Sequence, residues 1–315
     1  MMSPLISIAI PAYKDTYLRE CLDSILSQTY PNFEIVVLND ASPYDIDSIV
    51  GSYSDERIRY FKNDVNCGAV DIVKTWNKCL DLAKGDYFIC MGDDDVLKPW
   101  CLEEYVGLIG KYPGLGVYHA WTEIIDENSQ FLNLTAARCE FESVYSFIWH
   151  RWNGRAQQFV GDFLYDTARL RSNGGFYYLP LAWGSDDITA IMAAKENGIA
   201  NTQRPCFCYR MNPATISNTS SAEVKMKAIV QEKEWFGSFL AQEPQDELDR
   251  KYHICLQRQL DGYFDKIKGF TVAGDLRGHS LLRLFKWMGD RKTYGMSMKT
   301  LAIALVRSLE SRKRG

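Results

Sequence analysis

Gly85-Asp86-Tyr87-Phe88-Ile89-Cys90-Met91-Gly92-Asp93-Asp94-Asp95 decides how this chain is read. Tyr87 to Met91 is a short apolar run, the pattern of a buried strand. It delivers three adjacent carboxylates to the strand's end. Adjacent anions repel one another, so a fold tolerates them best in water or around a cation. Water is scarce at the end of a buried strand. A divalent ion is the better expectation, and hard oxygen ligands select Mg²⁺ or Mn²⁺. Such an ion typically carries a phosphate-bearing substrate, which points to a nucleotide-dependent transferase.

Working outward, the preceding chain alternates strands and helices. Ile6 to Ile10 reads as a buried strand that Pro11 ends, and Tyr17 to Gln28 has helical spacing of Leu18, Cys21, Leu22, Ile25 and Leu26. Phe33 to Leu38 is a second buried strand, followed by the turn-forming Asn39-Asp40-Ala41-Ser42-Pro43. A helix over Ile46–Tyr53, a strand over Arg57–Phe61 and a helix over Gly68–Ala83 lead to the strand that opens the acidic cluster. This alternation predicts a doubly wound, mostly parallel sheet, in which ligands bind at the carboxyl ends of strands. Asp40 and Asp93 to Asp95 both fall at such ends.

Beyond Pro99 the pattern becomes α+β. Helices are expected over Trp100–Lys111, Glu140–Trp152 and Asp186–Asn197, and strands over Leu115–Ile125, Gln158–Tyr165 and Thr202–Tyr209. A polar loop over Asn212–Ser221 could close as a lid, and from Ala222 onward only helices are expected, about four of them. The domain reading is a nucleotide-binding and catalytic domain over 1–220 and a helical extension over 221–315.

Composition narrows the function. The 315 residues are 46% hydrophobic, with a net charge of −4, which argues against disorder and against general nucleic-acid binding. No apolar run approaches the roughly 18–20 residues that span a bilayer, and Met1 to Ile10 reads as a strand, not a signal peptide. Nine cysteines without a CxxC pair suggest reduced core residues of a cytoplasmic protein. From Leu276 onward, ten Lys/Arg oppose only Asp290 and Glu310, a net of +8 that leaves −12 on the rest. Basic helices with interspersed leucines suit an anionic membrane surface; a solvated cap or a homodimer contact is the alternative.

The order of motifs resembles the family 2 glycosyltransferases of the GT-A fold. The pieces are Ser7-Ile8-Ala9-Ile10-Pro11-Ala12-Tyr13, Ser24 to Tyr30, Glu34 to Ser42, Asn66-Cys67-Gly68, Asn77, Gly85-Asp86-Tyr87, the acidic cluster, Trp183-Gly184-Ser185-Asp186-Asp187 and Tyr209-Arg210. Together they cover roughly residues 5–217. The resemblance implies an inverting transfer from a nucleotide-sugar, with a UDP-sugar the expected donor. Asp40 would accept a hydrogen bond from the base, or else serve as a helix cap or Asx turn. Pro11 and Tyr13 would line the same subsite, with Tyr13 stacking on the base or simply packed. The acidic cluster matches a DxD-type metal motif, but the usual first aspartate falls on Gly92. Asp94 is then the metal ligand, Asp93 contacts ribose or metal-bound water, and Asp95 is a further ligand or caps the helix near Pro99. Asp187, with Asp186 beside it, is the candidate base, against the alternative of carboxylates favoured by a helix dipole. Arg210 would pair with phosphate oxygens or form a surface salt bridge. Asn212 stands where the family often has histidine.

The expectation is thus an inverting, metal-dependent glycosyltransferase. Its acceptor would be a saccharide or lipid-linked saccharide in surface polysaccharide or glycolipid synthesis. One rival is a nucleotidyltransferase, but Pro11 to Asp15 lacks the Gly-rich loop such enzymes commonly carry. The other is a non-catalytic nucleotide- or sugar-binding relative, against which the acidic cluster and Asp187 speak.

Overall fold

The computed structural model describes residues 3–211, 221–276 and 281–312. The chain divides into two compact units, Met1–Tyr178 with Ser185–Ala214, and Leu179–Gly184 with Thr215–Gly315. One short excursion, Leu179–Gly184, belongs to the second unit.

The first unit is built on a ten-stranded mixed sheet. Its strands are β1 (Ile6–Ala12), β2 (Phe33–Asn39), β3 (Ile58–Lys62), β4 (Tyr87–Cys90), β5 (Val96–Leu97), β6 (Val117–Ile125), β7 (Phe131–Leu134), β8 (Phe141–Glu142), β9 (Phe163–Asp166) and β10 (Ile199–Arg210). Their order is β3-β2-β1-β4-β9-β6-β10-β5, with β7 on β6 and β8 on β10. β1 to β4 pair in parallel, and β9 runs antiparallel between β4 and β6. Parallel pairing is therefore confined to the first half and to β6 with β10.

Burial on both faces explains the unbroken apolar strands. Ile6, Ile8, Ile10, Ile35 and Val37 join a core with Leu18, Cys21, Leu22 and Ile25 of helix α1 (Leu18–Leu26). Between α1 and the next strands run α2 (Ile46–Gly51) and α3 (Ile72–Leu82). Ala9, Val36 and Phe88 are equally buried, and α3 packs against β1, β2 and β4 with Val73, Trp76, Cys79 and Leu80 buried. The remaining helices of this unit are α4 (Cys101–Lys111), α5 (Val144–Trp152), α6 (Thr167–Ser172) and α7 (Ser185–Ala194).

Three elements differ from expectation for local reasons. Pro11 does not end β1, which continues to Ala12 beside β2. The Ala9 carbonyl accepts from the Met91 N–H, so the alternation of the strand turns Pro11 toward the β4 side. There the ladder has already stopped at Ala9 and Cys90, and no donor is missed. The helix expected from Glu140 begins only at Val144, because Ser143 caps it through Ser146 N–H while Phe141–Glu142 pair with β10. The strand expected from Gln158 starts at Phe163, because the Asp162 carboxylate accepts the Phe159 N–H and coils Val160–Asp162 into a 3₁₀ turn.

The second unit holds four described helices, α8 (Ala222–Phe239), α9 (Glu247–Leu276), α10 (Leu281–Asp290) and α11 (Met298–Arg312). Met226, Val272, Trp287, Met296, Leu301 and Ala304 form its core. No described helix is long and apolar enough to cross a membrane. All nine cysteines are free thiols, six of them buried.

Replacing a central core side chain tests the two-faced burial. Ile8→Ala in the fully buried β1 is expected to cost the sheet unit about 2–5 kcal/mol, measured as a lowered urea midpoint.

Candidate active site

The carboxyl ends of β1, β2 and β4 and the end of β10 bring together the residues singled out from sequence. The acidic turn after β4 is shaped by Arg210. Its backbone N–H donates to Asp95 Oδ1 at 3.0 Å and its Nε donates to the Asp94 carbonyl at 2.8 Å. The rest of the guanidinium donates to the Asp126 carbonyl, Ser129 Oγ and Glu20 Oε2, and lies 4.1 Å over the Tyr17 ring. At 1% exposure Arg210 is buried, and it ion-pairs with the partly exposed Glu20, so the head group is committed to holding the turn.

The three carboxylates consequently point to different partners. Asp93 Oδ2 accepts the N–H groups of Tyr13 and Lys14, each at 2.7 Å, tying the acidic turn to the end of β1. Burial still pushes its acid up to about 6. Asp95 is buried and faces Arg210, and desolvation with the neighbouring Asp94 charge raises its pKa strongly. It does not cap α4, whose first turn follows Trp100 without a side-chain cap. The half-buried Asp94 carboxylate takes no hydrogen bond from another residue among those described. Desolvation raises its pKa, while Lys14 and Arg210 oppose the rise.

Gly92 explains the departure at the usual first aspartate. A Cβ there would lie 2.9 Å from Asp95 Oδ2 and 3.1 Å from Asp94 Oδ1, so a side chain would fill the space these carboxylates occupy. Among the described residues no three His, Cys, Asp or Glu side chains converge to hold a metal ion. One open carboxylate beside two committed ones fits an ion that brings most of its ligands as phosphate oxygens and water, not one caged by protein.

Asp40, at the end of β2, is buried. Its Oδ1 accepts Asn63 Nδ2 at 2.5 Å, and both oxygens lie 3.2 Å from the Cys67 N–H. Asn66 Nδ2 donates to the Asp40 carbonyl at 2.6 Å, and Lys78 Nζ to Asn63 Oδ1 at 3.1 Å. Asp40 thus organises the 63–67 loop. It is not the helix cap, which is Asp45, nor the side-chain turn, which Asn39 makes through the Ser42 N–H. Pro11 is half-buried beside it. Tyr13 is exposed and meets Tyr44 edge-on at 6.0 Å.

Asp186 and Asp187 open α7. Asp187 is 6% exposed, its Oδ1 accepting Gln158 Nε2 and its Oδ2 lying 3.2 Å from Arg151 Nε. Asp186 is half-buried, and no other side chain among the described residues hydrogen-bonds its carboxylate. Burial and the adjacent Asp187 charge push it up to about 7. Tyr209 feels the charge of both acidic groups. Its ring stacks on Phe159 at 3.8 Å, and burial followed by the charges of Asp95, Asp94 and Asp186 raises its hydroxyl to about 12.

A family model described as glycosyl transferase family 2 matches residues 7–175, more than half of the chain. The chain belongs to glycosyl transferase family 2. An uncharacterized glycosyltransferase of Rickettsia typhi is 36% identical over 132 residues, covering 41% of this chain and 40% of that protein. The glycosyltransferase GlyG of Streptococcus pneumoniae is 34% identical over 105 residues, 32% of this chain and 34% of that protein. The matched segment therefore spans only about a third to two fifths of these relatives. Among solved structures, S. aureus TarS 1–349 in complex with UDP-GlcNAc superposes with a TM-score of 0.70 at 16% identity, over 97% of this chain and 88% of that one. A second structure of S. aureus TarS gives 0.63 at 17% identity, over 97% of this chain and 53% of that one. The expected GT-A-like fold of family 2 is thereby found.

Several residues of this family 2 site escaped the sequence reading. Arg151 and Gln158 lie 36 and 29 residues before Asp187, and no local pattern marks them. Lys14 follows Tyr13 directly with no motif to mark it, yet its charge acts on both Asp93 and Asp94. Asn63 stands just outside the Asn66-Cys67-Gly68 piece. Asn212 and the polar loop over residues 212–220 lie outside the described residues.

Arg210→Met is expected to cost about 3–5 kcal/mol, because it strands buried acceptors without their cation. Arg210→Lys should recover little of that, since an ammonium cannot reproduce the fork. Denaturant midpoints for the two variants check this. A Lys variant as stable as the parent would overturn the role given to the guanidinium.

Proposed function

We propose that this cytoplasmic protein is an inverting, metal-dependent glycosyltransferase that moves a sugar from a UDP-sugar to a hydroxyl of a saccharide or lipid-linked saccharide. The product class is a surface polysaccharide or glycolipid. The observation that carries this reading is an Asp94 carboxylate left open at the end of β4 while Asp93 and Asp95 are committed to backbone N–H groups. Family 2 membership, the free thiols and the likeness in fold to a protein solved with UDP-GlcNAc support it.

In this mechanism the base lies against Asp40 and Tyr13, with the remaining acceptor capacity of Asp40 taking a ring N–H. Asp94 would hold the ion, Asp93 would keep the turn against β1 near the ribose, and Lys14 would add positive charge beside the acidic turn. A bound Mg²⁺ or Mn²⁺ supplies neutralisation of charge on the departing diphosphate. The Asp186–Asp187 pair acts as one base, with Arg151 and Gln158 fixing Asp187. It takes the acceptor hydroxyl's proton as that oxygen attacks the anomeric carbon from the face opposite the leaving group.

Calorimetric titration with UDP, GDP, dTDP and CDP, with and without Mn²⁺, tests the donor class. UDP is expected to bind more tightly with the metal, and Asp94→Asn to lose that enhancement. Absence of binding by every diphosphate would sink the reading. Asp186→Asn and Asp187→Asn should each keep UDP affinity while lowering turnover by about 10²–10⁴-fold. The pair must be ionised to accept a proton. With Asp186 at about 7, kcat/KM should climb as pH rises toward 7 and level off above it. A flat profile from pH 5 to pH 8 (roughly the range where such a base titrates) would remove the pair as base.

A further inference from the structure

Helix α11 carries apolar side chains on its outward face as well as on its packed one. Its packed face carries Thr300, Leu301, Ala304 and Ser308, two of them hydroxyl residues and one a small alanine. Thr300 fits against Gly269 of α9, with a Cβ there lying 3.6 Å from the Thr300 methyl. The outward face carries Ile303, Val306 and Leu309, which are 44%, 54% and 49% exposed. These positions recur every three residues and share that face with Ala302 and Lys299. Phe270 of α9, half exposed, extends the patch, with the Arg307 guanidinium 4.2 Å over its ring and Lys266 Nζ 5.9 Å away.

Helices of water-facing proteins put apolar residues in and polar ones out. A contiguous outward apolar stripe rimmed by cations marks a contact surface. Charge decides the occupant. The segment from Leu276 onward carries a net +8, against −12 on the rest. A two-fold dimer through this face would set the same cationic patch against itself, which like charges oppose. An anionic lipid surface meets both halves of the pattern: acyl chains accept the aliphatic stripe, and head groups accept Lys299, Arg307 and Lys266.

We propose that the outward face of α11, together with Phe270, docks on an anionic bilayer. The helix lies in the plane of the interface, with Ile303, Val306 and Leu309 entering the boundary between head groups and acyl chains. The interaction is peripheral and salt-sensitive. It stands apart from the sugar-transfer reading, because none of these residues belongs to the acidic site.

The test is co-sedimentation of the full chain with vesicles of phosphatidylcholine alone and of phosphatidylcholine mixed equally with phosphatidylglycerol. Binding to the anionic vesicles, weakened by salt and absent from the neutral ones, is expected. The double variant Ile303→Ser/Val306→Ser should reduce partitioning by about tenfold or more. Its thermal unfolding and UDP affinity should match the parent, since both side chains face outward. No binding to anionic vesicles, or equal binding by parent and double variant, would overturn the proposal. So would a concentration-dependent dimer that the double variant abolishes, which would give the face to a second copy. Vesicle binding without UDP binding would leave this proposal standing while removing the catalytic one.

Discussion

The buried guanidinium of Arg210 is the constraint on which the site depends. It comes from the end of β10 and joins α1 through Glu20, the β6–β7 turn through Asp126 and Ser129, and the acidic turn through Asp94. Removing a full charge from water is costly, and only a complete set of acceptors offsets it. That set exists in one arrangement of these segments. The Asp93–Asp95 turn is therefore held before any ligand arrives, which is what a reaction governed by charge placement requires.

The same turn concentrates anions that the protein only partly neutralises. Asp93, Asp94, Asp95 and Asp186 are all shifted toward the protonated form, chiefly by burial. Backbone N–H groups of Tyr13 and Lys14 offset part of the cost at Asp93, and Lys14 and Arg210 part of it at Asp94. The residual negative field favours a cation arriving with its own phosphate ligands. Burial and the Asp187 charge also raise the Asp186 carboxyl to about 7. Asp162 deepens the effect, since its buried charge bears on both Asp95 and Asp186. In the proposed mechanism one set of buried carboxylates would serve two tasks, differing only in which are hydrogen-bonded and which are left open.

Strands whose pattern repeats over short range were legible in the sequence. The β1, β2 and β4 runs and the α1 and α3 stripes appear close to where periodicity put them, because burial on both faces leaves no polar position to blur the signal. Legibility fell where a single side-chain contact overrides local preference. Ser143 delays α5, Asp162 coils the chain before β9, and Pro11 remains in β1 because its neighbour strand has ended. Within the site, the acidic cluster, Asp40 and the Asp186–Asp187 pair could be named from residue type and position. Arg151 and Gln158 could not, because nothing near them in the chain refers to Asp187.

The sequence by itself determined that strands end in carboxylates, that the motifs follow the family 2 order, and that the basic charge gathers at the C-terminal helices. Each of these is a local property of composition and spacing. Tertiary structure alone decided which carboxylates are free. Asp93 and Asp95 are committed to backbone N–H groups, and Arg210, which reads as a ligand-binding cation, is a buried clamp. It also decided that α11 keeps Ile303, Val306 and Leu309 on its outer face while Thr300, Leu301, Ala304 and Ser308 pack inward. Hydrogen-bond commitment and the choice of buried face arise from partners distant in sequence, and no reading of neighbours along the chain contains them.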